Sequence, residues 1–186
     1  MRKIAIVGNI ASGKSEVKNI LLQKNYKILD TDEVTHKLLE NNAEIITAFK
    51  DFDITENGQI SRKKLGNIVF NNENMRHKLE SILHPQIRAE IKEFFAQNST
   101  EQTLFVEIPL LFEANMQNLF DDIVFIYTND EIRLQRLIAR NGYTKEYALK
   151  RMNAQISQDE KVKKSSIIIK NNSSIDELKS EISKYF

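Results

Sequence analysis

Gly8-Asn9-Ile10-Ala11-Ser12-Gly13-Lys14-Ser15 satisfies the pattern G-x-x-x-x-G-K-[ST], and it stands between an apolar run, Ile4-Ala5-Ile6-Val7, and a segment of helical period from Ser15 to Lys24. In a chain of this composition the pattern arises by chance about once in 700 sequences, taking its four fixed positions as independent. Strand, glycine loop and helix in this order place successive N–H groups around an anion at the positive end of a helix. Gly8 and Gly13 permit close backbone approach, Lys14 reaches phosphate oxygens as a point charge, and the Ser15 hydroxyl is placed to ligand Mg²⁺.

The rest of the composition narrows the ligand. With 186 residues the chain has room for one core domain and an inserted subdomain. Lys and Arg number 27 against 26 Asp and Glu, so no bulk field holds a nucleic-acid backbone and any anion site is local. The absence of cysteine excludes disulfides, thiolate catalysis and Cys-based zinc sites. The apolar run before Gly8 is too short for a signal-peptide core, and no stretch approaches the ~18 apolar residues of a membrane span. A cytoplasmic protein with no nucleic-acid or membrane partner is expected, monomeric with at most weak self-association.

Short β-branched runs alternate with helical segments, the pattern of a parallel α/β sheet with helices on both faces. Lys3 to Val7, Lys27 to Leu29, Thr103 to Ile108, Asp122 to Tyr127 and Ser166 to Ile169 read as five strands. Residues 1–32, 99–130 and 165–186 form the core of this single domain. Residues 33–98 read as an α-helical insertion, with Leu79, Ile82, Leu83, Ile87, Ile91, Phe94 and Phe95 on a stripe that Pro85 either kinks or restarts as a new helix. Residues 131–164 form a second helical excursion, with Asn129 and Asp130 as cap candidates, a turn at Gly142 and Ser157 with Glu160 as a capping-box start. A last helix carries Ile175, Leu178, Ile182 and Tyr185 toward the sheet. Paired Asn residues, Asn171-Asn172 among them, read as turns and caps.

Ligands of an open parallel sheet bind beyond the carboxyl ends of its strands. That rim gathers the phosphate loop, Asp30-Thr31-Asp32, Glu107-Ile108-Pro109 and Lys170-Asn171-Asn172. If strand conformation continues, Asp30 and Asp32 point oppositely, one toward an acceptor hydroxyl and the other toward a metal shell or a helix cap. Both as helix caps is the competing reading. Four of the eight arginines, Arg133, Arg136, Arg140 and Arg151, fall in one nineteen-residue window. Arg136 and Arg140, four apart on a helix, can reach one anion, as a mobile lid supplying arginine fingers requires. His36, His77 and His84 lack metal-ligand spacing, and Lys161, Lys163 and Lys164 read as a solvated helix face.

Together these residues resemble the dephospho-CoA kinase family over nearly the whole chain. The match runs through the phosphate loop, Asp30-Thr31-Asp32, Ser61-Arg62-Lys63-Lys64-Leu65 with Val69-Phe70, and Leu79-Glu80. It continues through Leu83-His84-Pro85, Pro109-Leu110-Leu111-Phe112-Glu113, Gln135-Arg136-Leu137 with Arg140, Arg151 with Gln155, and Asn171. His-Pro followed by Pro-Leu-Leu-Phe-Glu is the more specific part. The resemblance implies a P-loop kinase fold and transfer of the ATP γ-phosphate, with Mg²⁺, to the ribose 3′-hydroxyl of dephospho-CoA. It implies catalytic roles for Lys14, Asp32, Arg136 and Arg140. ATP would be held by Gly8, Asn9, Ile10, Ala11, Ser12, Gly13, Lys14, Ser15, Glu16 and Asn171, the last near adenine, with Ser15 on the metal. Dephospho-CoA would lie against Asp32, Arg62, His84, Pro109 and Leu110. Asn9 and Ala11 depart from the family's frequent glycines, which tightens the loop, and Ser165-Ser166 departs from its common Ala-Asp. The alternative is a nucleoside-monophosphate or other small-molecule kinase of the same superfamily.

Overall fold

Four consecutive residues of β1 (Arg2–Val7), Ile4 to Val7, have no exposed surface, so the strand is covered on both faces, as a central parallel strand must be. In this computed structural model, which describes residues 1–186, β1 is the middle of a five-stranded sheet. Its other members are β2 (Lys27–Asp30), β5 (Thr103–Glu107), β6 (Asp122–Tyr127) and β7 (Ile167–Lys170), in the order β2-β5-β1-β6-β7. β1 pairs in parallel with β5 (Ile4 opposite Phe105) and β6 (Ile6 opposite Val124), and β6 pairs in parallel with β7 (Ile126 opposite Ile169). The chain divides into two units, Met1–Leu29 with Asn98–Phe186, and Asp30–Gln97.

In the first unit, α1 (Lys14–Gln23) and α9 (Ile175–Ser183) cover one sheet face. Val17, Ile20, Leu21, Leu178 and Ile182 pack there on Ile4, Ile6, Phe105, Val124, Ile126, Ile167 and Ile169, each buried aliphatic stabilising by roughly 1.5–3 kcal/mol. The alternate residues Ala5, Val7, Leu104, Val106 and Phe125 are buried too, so both faces are covered as the strand–helix alternation requires. Ile175 and Tyr185 stay 45% exposed, leaving only the middle of the expected C-terminal stripe docked.

The excursion after β6 forms α6 (Asp130–Asn141), α7 (Lys145–Asn153) and α8 (Gln158–Lys163). Gly142 ends α6 in the left-handed region, and the Ser157 side chain accepts from Glu160 N at the start of α8. Asn129 takes the N-cap position of α6 without a side-chain cap bond. The solvated reading of α8 fails at Lys161, which is fully buried with its Nζ 3.0 Å from Glu113 Oε1. Its aliphatic stem fills the interface while the charge meets a carboxylate.

The second unit holds α2 (Thr31–Glu40), α3 (Ala43–Ala48), α4 (Arg62–Asn71) and α5 (Glu73–Gln97), the first three all packed on α5. Ile82, Leu83, Ile87, Ile91 and Phe95 are the buried stripe of α5, which runs unbroken through Pro85, so no new helix starts there. The insertion is also not wholly helical. β3 (Thr55–Glu56) and β4 (Gln59–Ile60) pair antiparallel around Asn57 and Gly58, with φ of 52° and 80°. An Asn-Gly pair supplies the two positive φ angles of such a two-residue turn. No helix in the chain is long and apolar enough to cross a membrane.

Candidate active site

The loop from Gly8 to Ser15 changes backbone sign twice, at Ala11 (φ 61°) and Gly13 (φ 87°), before α1 begins at Lys14. Gly13 takes the N-cap position and offers no side chain to the helix end, which leaves that end to an anion. A Cβ at Gly13 would lie 2.1 Å from Asn171 Nδ2, and one at Gly8 would lie 2.5 Å from Ser12 Oγ and 3.1 Å from the Ile126 carbonyl. Close approach requires glycine at both positions, and at Gly13 the left-handed backbone angle requires it as well. Within the loop Ser12 N donates to Asn9 O at 3.1 Å, and the Lys14 ammonium folds back to donate to Gly8 O at 2.9 Å.

Side chains from the next two strand ends hold this loop. Asn171, 6% exposed, donates its Nδ2 to Ser12 O at 2.8 Å, while its own N–H donates to Tyr127 O. Thr128, fully buried, turns its hydroxyl to Ser12 O at 3.0 Å and Asn171 O at 3.1 Å. Asn172 Oδ1 accepts from Asn129 N at 2.8 Å. Asn171-Asn172 is therefore more than a turn: its carboxamides tie β7 to the loop and to the start of α6. Thr128 carries no motif and was not singled out by sequence, although it directly follows β6 on the same rim.

The arginines of α6 divide. Arg133 is 2% exposed, its Nε donating to Ile10 O at 3.0 Å and its Nη1 to Asp130 Oδ1 at 2.6 Å, while Nη2 has no partner. Burial lowers its pKa, and Asp130 opposes that shift. Arg136 borders a cleft of about 310 Å³ lined also by Gly13, Glu16, Asn171, Ser173 and Ile175. Arg140 is exposed in the last turn, its Nε on Asn141 Oδ1. Ser15 is exposed in the first turn of α1.

In the second unit the strand does not continue past Asp30. Asp30 is instead the N-cap of α2, accepting from Asp32 N at 2.9 Å and Glu33 N at 3.3 Å, and Asp32 stands exposed in the first turn. A carboxylate satisfies two orphan amides better there than an extended strand does. Arg62 opens α4 and lines a cavity of about 300 Å³ with His36, Leu39, Glu40, Gln59 and Ile60. His84 is half-buried within α5, and desolvation lowers its pKa more than Glu80 raises it. Pro109 and Leu110 lie in the turn after β5, Leu110 49% exposed.

A parallel sheet whose first strand runs into this loop, with an arginine-bearing helix against it, defines a P-loop kinase. The solved shikimate kinase of Bacteroides thetaiotaomicron shares that fold at 12% identity and a TM-score of 0.55. The chain belongs to the dephospho-CoA kinase family, whose model matches residues 2–177. The dephospho-CoA kinase of Carboxydothermus hydrogenoformans is 39% identical over 96% of this chain and 90% of its own length, and that of Listeria innocua 36% identical over 97% and 94%. Among solved structures, dephospho-CoA kinase from Campylobacter jejuni aligns with a TM-score of 0.78 at 36% identity, covering 99% of this chain and 95% of that one. TT1252 from Thermus thermophilus aligns at 0.86 with 29% identity, covering 100% and 98%.

Proposed function

We propose that the chain phosphorylates the ribose 3′-hydroxyl of dephospho-CoA with ATP, giving coenzyme A and ADP. The observation that carries this reading is the phosphate loop, fixed by Asn171 and Thr128 at the open start of α1 in a chain of this family over nearly its full length.

The acceptor 3′-oxygen forms a bond to the γ-phosphorus as the bond to the β–γ bridging oxygen breaks. The acceptor proton passes to Asp32, and the leaving oxygen stays on ADP. Loop amides and Lys14 hold the phosphates, which requires the Lys14 ammonium to leave the Gly8 carbonyl. Arg136 borders the cleft we assign to the adenosine half of ATP, and Arg140 counters phosphoryl charge from the end of α6. Asn171 serves ATP by holding Ser12 in place as well as by bordering that cleft. Mg²⁺ fits at Ser15, whose exposed hydroxyl opens the helix next to the phosphates, and when bound it neutralises phosphate charge. Arg62, His84, Pro109 and Leu110 take the acceptor, with the cavity at Arg62 its first anchoring point.

ADP release measured with Mg²⁺-ATP across dephospho-CoA, AMP, dTMP, GMP and a sugar acid tests the reading. Selective stimulation by dephospho-CoA is expected. Preference for AMP or dTMP would transfer the chain to the nucleoside-monophosphate kinases.

A further inference from the structure

Ile10 sits at the tip of the phosphate loop and belongs by its packing to the helical excursion. It and Ala11 lie against the cluster of Leu137, Ala148 and Met152, with Leu134, Ile138 and Tyr143 around it. Both backbone groups of Ile10 are held by side chains of that excursion. Arg133 Nε donates to its carbonyl at 3.0 Å, and its N–H donates to Gln155 Oε1 at 2.7 Å. The neighbouring pair repeats the contact, with Asn9 Nδ2 donating to Ile156 O at 3.0 Å. Two consecutive residues joining α7 to α8 thus grip two consecutive residues of the loop.

The peptide between Asn9 and Ile10 is gripped on both edges. Its oxygen accepts from Ser12 N at 3.1 Å and closes the turn, while its N–H is the group on Gln155. Inside that turn Ala11 holds φ 61°, a conformation that a residue with a Cβ keeps only when its surroundings enforce it. Ile10 and Ser12 both direct their amides to protein oxygens, on Gln155 and Asn9, so the amides left to face a phosphate include those of Ala11, Gly13 and Ser15. The Ala11 amide lies inside the turn that the Asn9–Ile10 peptide closes, so the plane of that peptide sets where this amide points.

We propose that Gln155 is a positioning residue for ATP: its side-chain oxygen fixes the Asn9–Ile10 peptide, and through it the amides that receive the phosphates. Gln155 touches no phosphate in this scheme and acts through Ile10. The proposal rests on the kinase reading only in that ATP is the ligand of the loop.

The test uses the full chain with Gln155→Met, which keeps length and loses the acceptor, and Gln155→Ser, which stays polar but is too short to reach. ATP affinity, measured by calorimetry without any acceptor, is expected to fall about tenfold in both, the order of one net hydrogen bond. The KM for ATP rises by the same factor while the KM for dephospho-CoA stays within about twofold. The Ile10 amide exchanges with solvent at least about tenfold faster in both variants, whereas Gln155→Glu, which keeps an oxygen acceptor, leaves that amide protected. A folded Gln155→Met or Gln155→Ser protein with ATP affinity within about twofold of the wild type overturns the proposal, as does an unchanged Ile10 exchange rate. A wild-type chain that fails to bind ATP overturns the kinase reading instead, so the two failures are distinct.

Discussion

The phosphate loop and the Asp30–Gln97 unit are held by different means. Around the loop the holding groups are buried polar side chains drawn from distant parts of the chain: Thr128, Arg133, Gln158 and Asn171 are all under a tenth exposed. Gln158 alone ties Thr128 O at 2.9 Å and Asp130 Oδ1 at 2.8 Å. In the Asp30–Gln97 unit the buried residues are apolar except Thr31, and Arg62 stands on the surface of a cavity. A buried polar network has one satisfied geometry, because each displaced member leaves an unpaired group. An apolar helical pack keeps its stability through many arrangements of similar volume. The loop is thus held to one conformation, whereas the other unit is held by the filling of volume and leaves Arg62 at the edge of a cavity.

Gly13→Ala is the strongest way to break that contrast. The new methyl would stand 2.1 Å from Asn171 Nδ2, at φ 87°, and Asn171 cannot withdraw without releasing Ser12 O. ATP affinity by calorimetry is expected to fall about 10²-fold or more, the scale of a misplacement near 1 Å at a reacting centre. Wild-type affinity would mean that the loop yields easily. On the other unit, Asp32→Asn is expected to cut turnover by about 10²-fold while leaving ATP affinity nearly unchanged. Retained turnover would remove Asp32 from proton transfer.

The same contrast explains what the sequence makes legible. The five strands, the loop and the stripe of α5 announce themselves because apolar periodicity and a local motif are written in consecutive residues. The Asn57-Gly58 turn is equally local, but it stands between helical segments whose periodicity hides it. The clamp on the loop is another matter. Thr128 is one threonine after a strand, and the rim rule reaches it only when applied to the end of β6 as it was to the other strands. Arg133 was visible as one of an arginine series, but periodicity does not distinguish the guanidinium that turns inward from Arg140, which stays exposed. Asp30 and Asp32 show the same limit, since a cap and an acceptor-facing carboxylate share one spacing until the strand's end is known.

Asn171→Ala sharpens the comparison at intermediate size. Ser12 O keeps the Thr128 hydroxyl but loses the Nδ2 donor, so a cost of ~1–3 kcal/mol is expected in denaturant unfolding. Arg62→Ala in the same assay should stay within about 0.5 kcal/mol, as an exposed position does. Equal losses would erase the distinction. Gly66 reverses the case of Gly13: it lies inside α4, and a Cβ there meets nothing within 4 Å. Gly66→Ala should therefore stabilise by about 0.5–1 kcal/mol and raise the melting midpoint by roughly 2–4 °C per kcal/mol. A lowered midpoint would show that this helix surface is packed.

The smallest expected effect concerns His84, where the second unit does bury part of a titratable group. Desolvation is the main cause of its lowered pKa, Glu80 opposes it, and Arg88 adds to it. A folded pKa below the unfolded value near 6.5 means that the unfolded chain takes up the proton first as pH falls. The neutral imidazole therefore contributes stability that is present above the unfolded pKa and is lost as pH drops through the folded one. Unfolding midpoints of the wild type and His84→Asn, compared between pH 7.5 and 5.5, should show the wild type losing more. Parallel losses would show that burial of the His84 imidazole contributes nothing to the stability of its unit, and the contrast with the buried charge of Arg133 at the phosphate loop would widen.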